Sequence, residues 1–416
     1  MQDASSERAM TPAALAPVRQ AAFVFILVTV LLDMLALGMI VPILPRLVID
    51  FVSGNHVQAA DIYGWFSTVW AFMQFLFSPV QGALSDRFGR RPVILASNIG
   101  LGLDYILMAL APSLMWLFVG RLISGMTAAS FSVANAYVAD VTPPEQRAGR
   151  YGLIGAAFGA GFIIGPALGG LVGSVDPRLP FWIAAAFSLV NGLYGIFVLP
   201  ESLPHHKRAP FSWSRANPLG SLTLLRSHHE LFGLASASFL NSLAHAALPS
   251  VTVLYMTFRY GWDARMIGFS MTFIGVCALI VQGGLIGRFV AHFGDRAALI
   301  TGLAFGVTGF ASFGVAWTGT LFLIGIPILS LWGLGGAAIQ ALMTQRVSAR
   351  EQGQLQGANA SLMGIANMIG PIFFTVTYAR AIESSFGPWL SGAPFLLAAL
   401  FLATAMVIGW RVTRPQ

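Results

Sequence analysis

Twelve apolar runs follow one another along the 416 residues of this chain, at roughly 21–45, 61–84, 92–111, 113–139, 150–173, 180–199, 231–256, 264–290, 296–317, 319–345, 353–377 and 389–411. A helix needs about 20 apolar residues to cross the hydrocarbon of a bilayer. In lipid every backbone N–H and C=O must be satisfied within its own segment, so runs of this length predict α-helices. The expected fold class is an all-α membrane protein of twelve transmembrane helices. Charged residues make up only 9% of the chain, too few to coat a soluble protein of 44.3 kDa. A soluble enzyme and a disordered chain are both excluded. The single Cys277 leaves no disulfide framework and no Cys-based zinc cluster. No metal, cofactor or catalytic residue is expected. The first run is not a cleavable signal, because it is too long, holds Asp33 and passes Pro42 and Pro45 without a cleavage site.

Arg and Lys placement sets an expected orientation. With the N-terminus inside, the inner segments hold seventeen of them, from Arg8 and Arg19 to Arg411 and Arg414. The outer loops hold five: Arg46, Arg178, Arg259, Arg265 and Arg380. That asymmetry predicts two cytoplasmic termini and accounts for the +7 charge by topology rather than by nucleic acid. One long polar stretch, after the sixth run, interrupts the series. The expected organisation is a tail at 1–20, a six-helix bundle at 21–199, a cytoplasmic linker at 200–230, a second bundle at 231–411 and a tail at 412–416.

Six plus six runs around a basic linker invite a search for duplication. The loop after the second run reads Gly82-Ala-Leu-Ser-Asp86-Arg87-Phe88-Gly89-Arg90-Arg91, and the loop after the eighth reads Gly287-Arg-Phe-Val-Ala-His-Phe293-Gly294-Asp295-Arg296. Gly, Phe, Gly and Arg recur 205 residues apart, and Gly165-Pro166 recurs as Gly370-Pro371 at the same offset. The halves are expected to be pseudo-symmetric copies, with the second loop's charges partly eroded.

Within the first loop, Gly82 and Gly89 permit a sharp turn, while Asp86 and Arg87, Arg90 and Arg91 can form charge-assisted bonds between neighbouring helix ends. Simple positive-inside anchoring is the plain alternative for an isolated Arg. The fifth run carries Gly161, Gly165, Pro166, Gly169 and Gly170. Proline there frees a carbonyl, and glycines at spacings of four make a flat face for another helix.

Charges inside the membrane are costly, about 2.5–3.5 kcal/mol each on insertion scales, and so are candidates for function. Asp33, Asp104 and Arg121 are the three here. Asp33 and Arg121 are read either as functional groups or as a structural ion pair. Asp104 is as readily structural. Along the fourth run, Arg121, Gly125, Ala128, Ser132 and Asn135 form one small, polar stripe that disfavours lipid. In the seventh run Asn241 and His245 lie one turn apart. His245 is read as a proton carrier, a substrate ligand or a satisfied structural histidine. Gln74 and Gln340 complete the candidate substrate contacts, and Gln282 is a weaker one.

These stretches resemble the major facilitator superfamily, and within it the tetracycline and multidrug proton antiporters. The Gly82–Arg91 string is similar to the superfamily's signature loop. The Gly161–Gly170 string is similar to the fifth-helix motif of its exporters. Leu32-Asp33 to Pro45, Asp104-Tyr105, Gly120-Arg121 to Gly125, Leu199-Pro200-Glu201-Ser202 and Gln352 to Gly357 extend the likeness over nearly the whole chain. The resemblance implies a monomeric, proton-coupled exporter of a small amphipathic drug in a bacterial inner membrane, working by alternating access. It implies that Asp33 and Arg121 belong to the polar core of the first half and Asp86 to a gating loop, while Asp33, Asp104 and His245 are the membrane-embedded groups that remain as candidates for proton coupling. Two departures stand out: a coupling His and Asp of the tetracycline exporters fall at Ala278 and Gly306 here. The alternative is a transporter of an endogenous metabolite, such as a siderophore or organic anion.

Overall fold

A computed structural model describes residues 12–127, 130–143, 146–211, 217, 220–222, 229–348 and 351–414. Among them no strand occurs, and ten helical stretches are long and apolar enough to cross a membrane. One of the ten, Ala264–Val315, is two crossings, because Gly294 breaks it with φ 78° and ψ 168°. His56–Phe88 also has the length, but its Trp, Gln and Ser residues make it less apolar than the others. Splitting the first and adding the second gives the twelve crossings that the sequence predicts.

We number them in chain order. α1 is Pro12–Ile40, resumed after a turn at Pro42 as Leu44–Phe51; α2 is His56–Phe88, α3 Arg90–Leu110, and α4 is described as Leu114–Thr127 and Ser130–Val141. α5 is Arg147–Gly173, α6 Leu179–Val198 and α7 His229–Tyr260. α8 (264–293) contains a π turn at Val281–Leu285, and α9 covers 295–315. α10 is Gly319–Thr344, α11 Gln352–Glu383 and α12 Gly387–Val412. Several helices outrun their apolar stretches, as α1 does to Phe51 and α7 to Tyr260. Tilted spans reach past the hydrocarbon, and their polar ends stay helical there.

The 205-residue repeat is a feature of the backbone as well. Gly89 and Gly294 both turn the chain at positive φ, 108° and 78°, where an L side chain would be strained. Arg90 Nε reaches Asp140 Oδ2 at 3.2 Å, and at the same offset Gln345 Nε2 donates to Asp295 Oδ2 at 2.8 Å. The same two places are in contact in both halves, with Asp295 where Arg90 stands and the amide of Gln345 where Asp140 stands.

α5 and α11 each pack within their own half and across to the other, α5 on α8 and α11 on α2. Gly161, Gly165 and Gly169 form one face of α5 against Met34, Leu35, Gly38 and Met39 of α1. On another face, Gly170 meets Ala264 and Gly268 of α8, and Thr272 Oγ1 donates to Ile163 O at 2.8 Å. A Cβ built on Gly165 would sit 2.7 Å from Gly38 Cα, so the small residues are required by helix contact. α11 mirrors this arrangement, with Gly370 against Ala246 of α7 and Gly364 against Phe75 of α2.

The two ends of the molecule differ. At the end away from the Arg-rich loops, Gly64 of α2 abuts Thr375 of α11, and Tyr63 donates to Pro249 O of α7 at 3.2 Å. At the Arg-rich end, Gly149, Gly152, Gly155 and Gly159 of α5 face open space, as do Gly283, Gly284 and Gly287 of α8. The halves are closed at one end and parted at the other.

Candidate functional site

α1, α2, α3 and α4 bring a polar wall into the membrane interior. The pocket there is lined by Thr29 and Asp33 of α1, Trp70 and Gln74 of α2, Tyr105 of α3, and Arg121 and Ser124 of α4. Asp33 and Arg121 are each 9% exposed. The guanidinium of Arg121 lies over the Trp70 ring, 5.0 Å from its centroid, and its Nε is buried without a hydrogen-bond partner. Gly125 lets α4 close onto α2, because a Cβ there would meet Trp70 O and Met73 Cβ at 2.7 Å. Sequence and packing thus combine: the glycine sets the helix distance, and the distance sets the cation over the aromatic face.

Asp104 stands behind this wall. It is 1% exposed, and neither carboxyl oxygen has a hydrogen-bond partner among the described residues. Gly120 makes room for it, since a Cβ there would lie 3.1 Å from Asp104 Oδ1. Tyr105, the residue after Asp104, lines the same pocket as Asp33 and Arg121 and is itself buried. Sequence reading noted Tyr105 only as part of a dipeptide and did not place it in the site. Of the remaining stripe, Ser132 is exposed and Asn135 half-buried, outside this pocket and nearer the Arg-rich end. Ala128 lies outside the described residues.

The second-half candidates form a separate cluster. Trp332, in the break between the two segments of α10, donates from Nε1 to Asn241 Oδ1 at 2.8 Å. His245, one turn along α7, packs on the same indole with ring centroids 5.5 Å apart and keeps an exposed edge. Gly306 of α9 faces the other side of Trp332: a Cβ would meet Cδ1 at 2.8 Å and Cγ at 3.0 Å. Gln340 accepts from Asn359 Nδ2 of α11 at 2.7 Å. Gln282 is exposed in the π turn of α8. Trp332 is 8% exposed and ties α7 to α10, whereas Trp65 and Phe373 are exposed.

The signature loop is built into its own half. Arg90 is its hub: Nη1 donates to Asp86 Oδ1 at 2.6 Å and to Ser85 Oγ at 2.5 Å, while Nε meets Asp140 at the end of α4. The backbone N–H of Arg90 donates to Glu201 Oε1 at 2.9 Å, and Ala209 N–H donates to Asp86 O at 3.1 Å. Arg87 is exposed and lies over the Phe88 ring, and Arg91 donates to Ile196 O. Gly82 faces open space. Asp140 was missed by sequence reading.

This architecture has known counterparts. A profile of the Major Facilitator Superfamily matches residues 26–371. The tetracycline resistance protein, class C, of Escherichia coli is 37% identical over 382 residues, covering 91% of this chain and 95% of that protein. The class G protein of Vibrio anguillarum is 36% identical, with 91% of this chain and 97% of that protein covered. In fold, the chain is similar to a bacterial homologue of the human lysosomal transporter Spinster in its inward-facing, unoccupied conformation. The TM-score is 0.76 at 14% identity, with 95% of this chain and 97% of that one covered. Twelve crossings in two repeat-related halves, the signature loop and these matches place one conclusion beyond the fold: the chain is a multi-pass membrane protein that belongs to the Major Facilitator Superfamily, in the branch that holds the tetracycline resistance proteins.

Proposed function

We propose that the protein is a proton-coupled secondary active exporter of a small amphipathic compound of the tetracycline kind. The observation that carries this reading is the charged wall of Asp33 and Arg121 in an otherwise apolar cavity, within a chain similar to tetracycline resistance proteins over 91% of its length. A substrate with one apolar and one polar face suits such a wall. Arg121, Gln74, Ser132 and Asn135 are the first-half contacts in this proposal, and Asn241, His245 and Gln340 those of the second half. Asp33 is the leading proton carrier, with Asp104 and His245 as the competing sites.

The Arg-rich end is proposed to face the cytoplasm of a bacterial inner membrane, with both termini inside. The open end then receives substrate from the cytoplasm. Rocking of the bundle at 21–199 against that at 231–411 closes it and opens the other side. The linker at 200–230 joins the bundles, and 1–20 and 412–416 are tails. The protein works as a monomer, without a cofactor, a metal or a nucleic-acid partner, and moves its substrate rather than transforming it. Uptake of labelled tetracycline into inverted vesicles, driven by an imposed pH gradient, tests the proposal. Gradient-driven accumulation supports it, and its absence in well-folded protein counts against it.

The cation of Arg121 on the cavity wall also favours a second reading, export of an endogenous organic anion such as a siderophore. Counterflow in proteoliposomes separates the two. A preloaded organic anion that exchanges where tetracycline does not selects the second reading.

A further inference from the structure

Where α3 begins and α6 hands over to the linker, a second pocket opens at the Arg-rich end, away from the central cavity. Its wall combines Phe88, Pro92 and Leu95 with the basic side chains Arg91, His205 and Arg208. The charges do not cancel. Glu201 is the one acid of the wall, and its carboxylate is already engaged: Oε1 accepts from the backbone N–H of Arg90 at 2.9 Å and of Leu203 at 3.0 Å, and Oε2 faces Arg208 at 3.8 Å. Arg91 spends Nη2 on the carbonyl of Ile196, and its Nε is buried without a hydrogen-bond partner. Arg208 Nε reaches Leu203 O only at a long 3.4 Å.

Two further features restrict the occupant. Above the pocket, the outward surfaces of α3 and α6 carry exposed Leu103, Leu193, Tyr194 and Phe197, the last 80% exposed. Such surfaces belong in lipid, so the pocket lies where the apolar belt of the protein meets its basic end. Unsatisfied cationic donors at that level are complementary to a phosphate with acyl chains attached. A zwitterionic headgroup would also bring a cation against Arg91 and Arg208.

We infer that this pocket binds an acidic phospholipid, its phosphate between Arg91 and Arg208 and its glycerol and acyl chains along Phe88, Pro92 and Leu95. Bound there, the lipid ties the signature loop to the linker through two arginines that share no contact of their own among the described residues. Loss of either arginine is expected to weaken binding about fivefold, from about 1 kcal/mol per basic residue near an anionic headgroup.

The test is thermal unfolding of the full-length protein in detergent, titrated with phosphatidylglycerol, with phosphatidylcholine of the same chains, or with inorganic phosphate. Phosphatidylglycerol is expected to raise the melting temperature at lower concentration and further than phosphatidylcholine. Arg91→Gln and Arg208→Gln are expected to shift its titration midpoint about fivefold upward, and Arg208→Lys to restore most of it. Pro92→Glu is the safeguard if an arginine variant does not fold. It places a carboxylate on an exposed wall position in the first turn of α3, where helices accept acids, and should abolish the preference for phosphatidylglycerol. Equal stabilisation by both lipids, or an unchanged preference in all folded variants, overturns the site. A full effect from inorganic phosphate alone overturns the lipid as its ligand.

Discussion

The indole of Trp332 stands in the space that a side chain at Gly306 would enter, with Cδ1 2.8 Å from where a Cβ would be, and Leu402 Cδ1 crowds the same place at 2.6 Å. Gly306 is the position at which the related tetracycline exporters are expected to carry an aspartate. Here the gap is filled by Leu402 and by an aromatic ring held to Asn241 and packed against His245. An ionisable group cannot be returned to this position without moving both side chains.

Gly306→Asp is therefore expected to destabilise the protein rather than to add a second coupling site. Overpacking in a close-packed interior costs about 1–3 kcal/mol, and a buried carboxylate adds to that. The interhelical hydrogen bond from Trp332 to Asn241 is the smaller effect, about 0.6 kcal/mol for such bonds on average. Trp332→Ala alone costs about 3–5 kcal/mol, so the pair is read as a double-mutant cycle: Gly306→Asp should cost less in the Trp332→Ala background than in the unaltered protein. Thermal unfolding of the single and double variants checks this, and an equal cost in both backgrounds would show that the indole is not what excludes the side chain.

Asp86→Asn should leave the fold intact and reduce transport severely. Arg90 keeps Asp140 and Ser85 as partners, so stability falls by no more than about 1 kcal/mol, while the loop loses one acid of its charged hub. Asp140→Asn should behave in the same way, because Arg90 keeps Asp86 and Ser85 while its tie to the end of α4 loses its charge. Efflux by well-folded protein is the measurement. Near-normal efflux in both variants would remove the loop from the gating cycle.

Gly165→Leu should block turnover while substrate binding persists. A Cβ at this position would stand 2.7 Å from Gly38 Cα, so added bulk forces α5 from α1 and displaces the face by which Gly170 meets Ala264 and Gly268 of α8 across the halves. Gly155, on the open stretch of α5, has no atom within 4 Å of a built Cβ, so Gly155→Ala should cost little in this conformation. Equilibrium binding and transport are to be measured on both. Loss of binding in folded Gly165→Leu would extend the substrate site to α5.

The helices, the repeat and the signature loop were legible in the sequence because each is a local pattern. Apolar length fixes a crossing, and the turns at Gly89 and Gly294 need glycine wherever they occur. The packing role of Gly161, Gly165 and Gly169 was equally readable, since spacings of four put them on one face. Contacts between distant segments were not. Asp140 beside Arg90, and Trp332 inside the Gly306 gap, join residues whose pairing depends on how separate helices sit together, which no periodicity encodes. The depth of Asp104 followed from hydropathy, but its place behind the cavity depends on Gly120 opening a space for it.

The proton site is the centre of the proposal, and it rests on Asp33 facing the cavity with Arg121 while Asp104 is sealed behind them. The most direct measurement is substrate uptake into inverted vesicles, with and without a pH gradient, for Asp33→Asn and His245→Gln. Coupling through Asp33 predicts that Asp33→Asn loses gradient-driven accumulation but retains substrate binding or downhill exchange. It also predicts that His245→Gln still accumulates substrate, with altered affinity only. Full gradient-driven accumulation in Asp33→Asn, together with its loss in His245→Gln, would contradict this and move the proton to the second half.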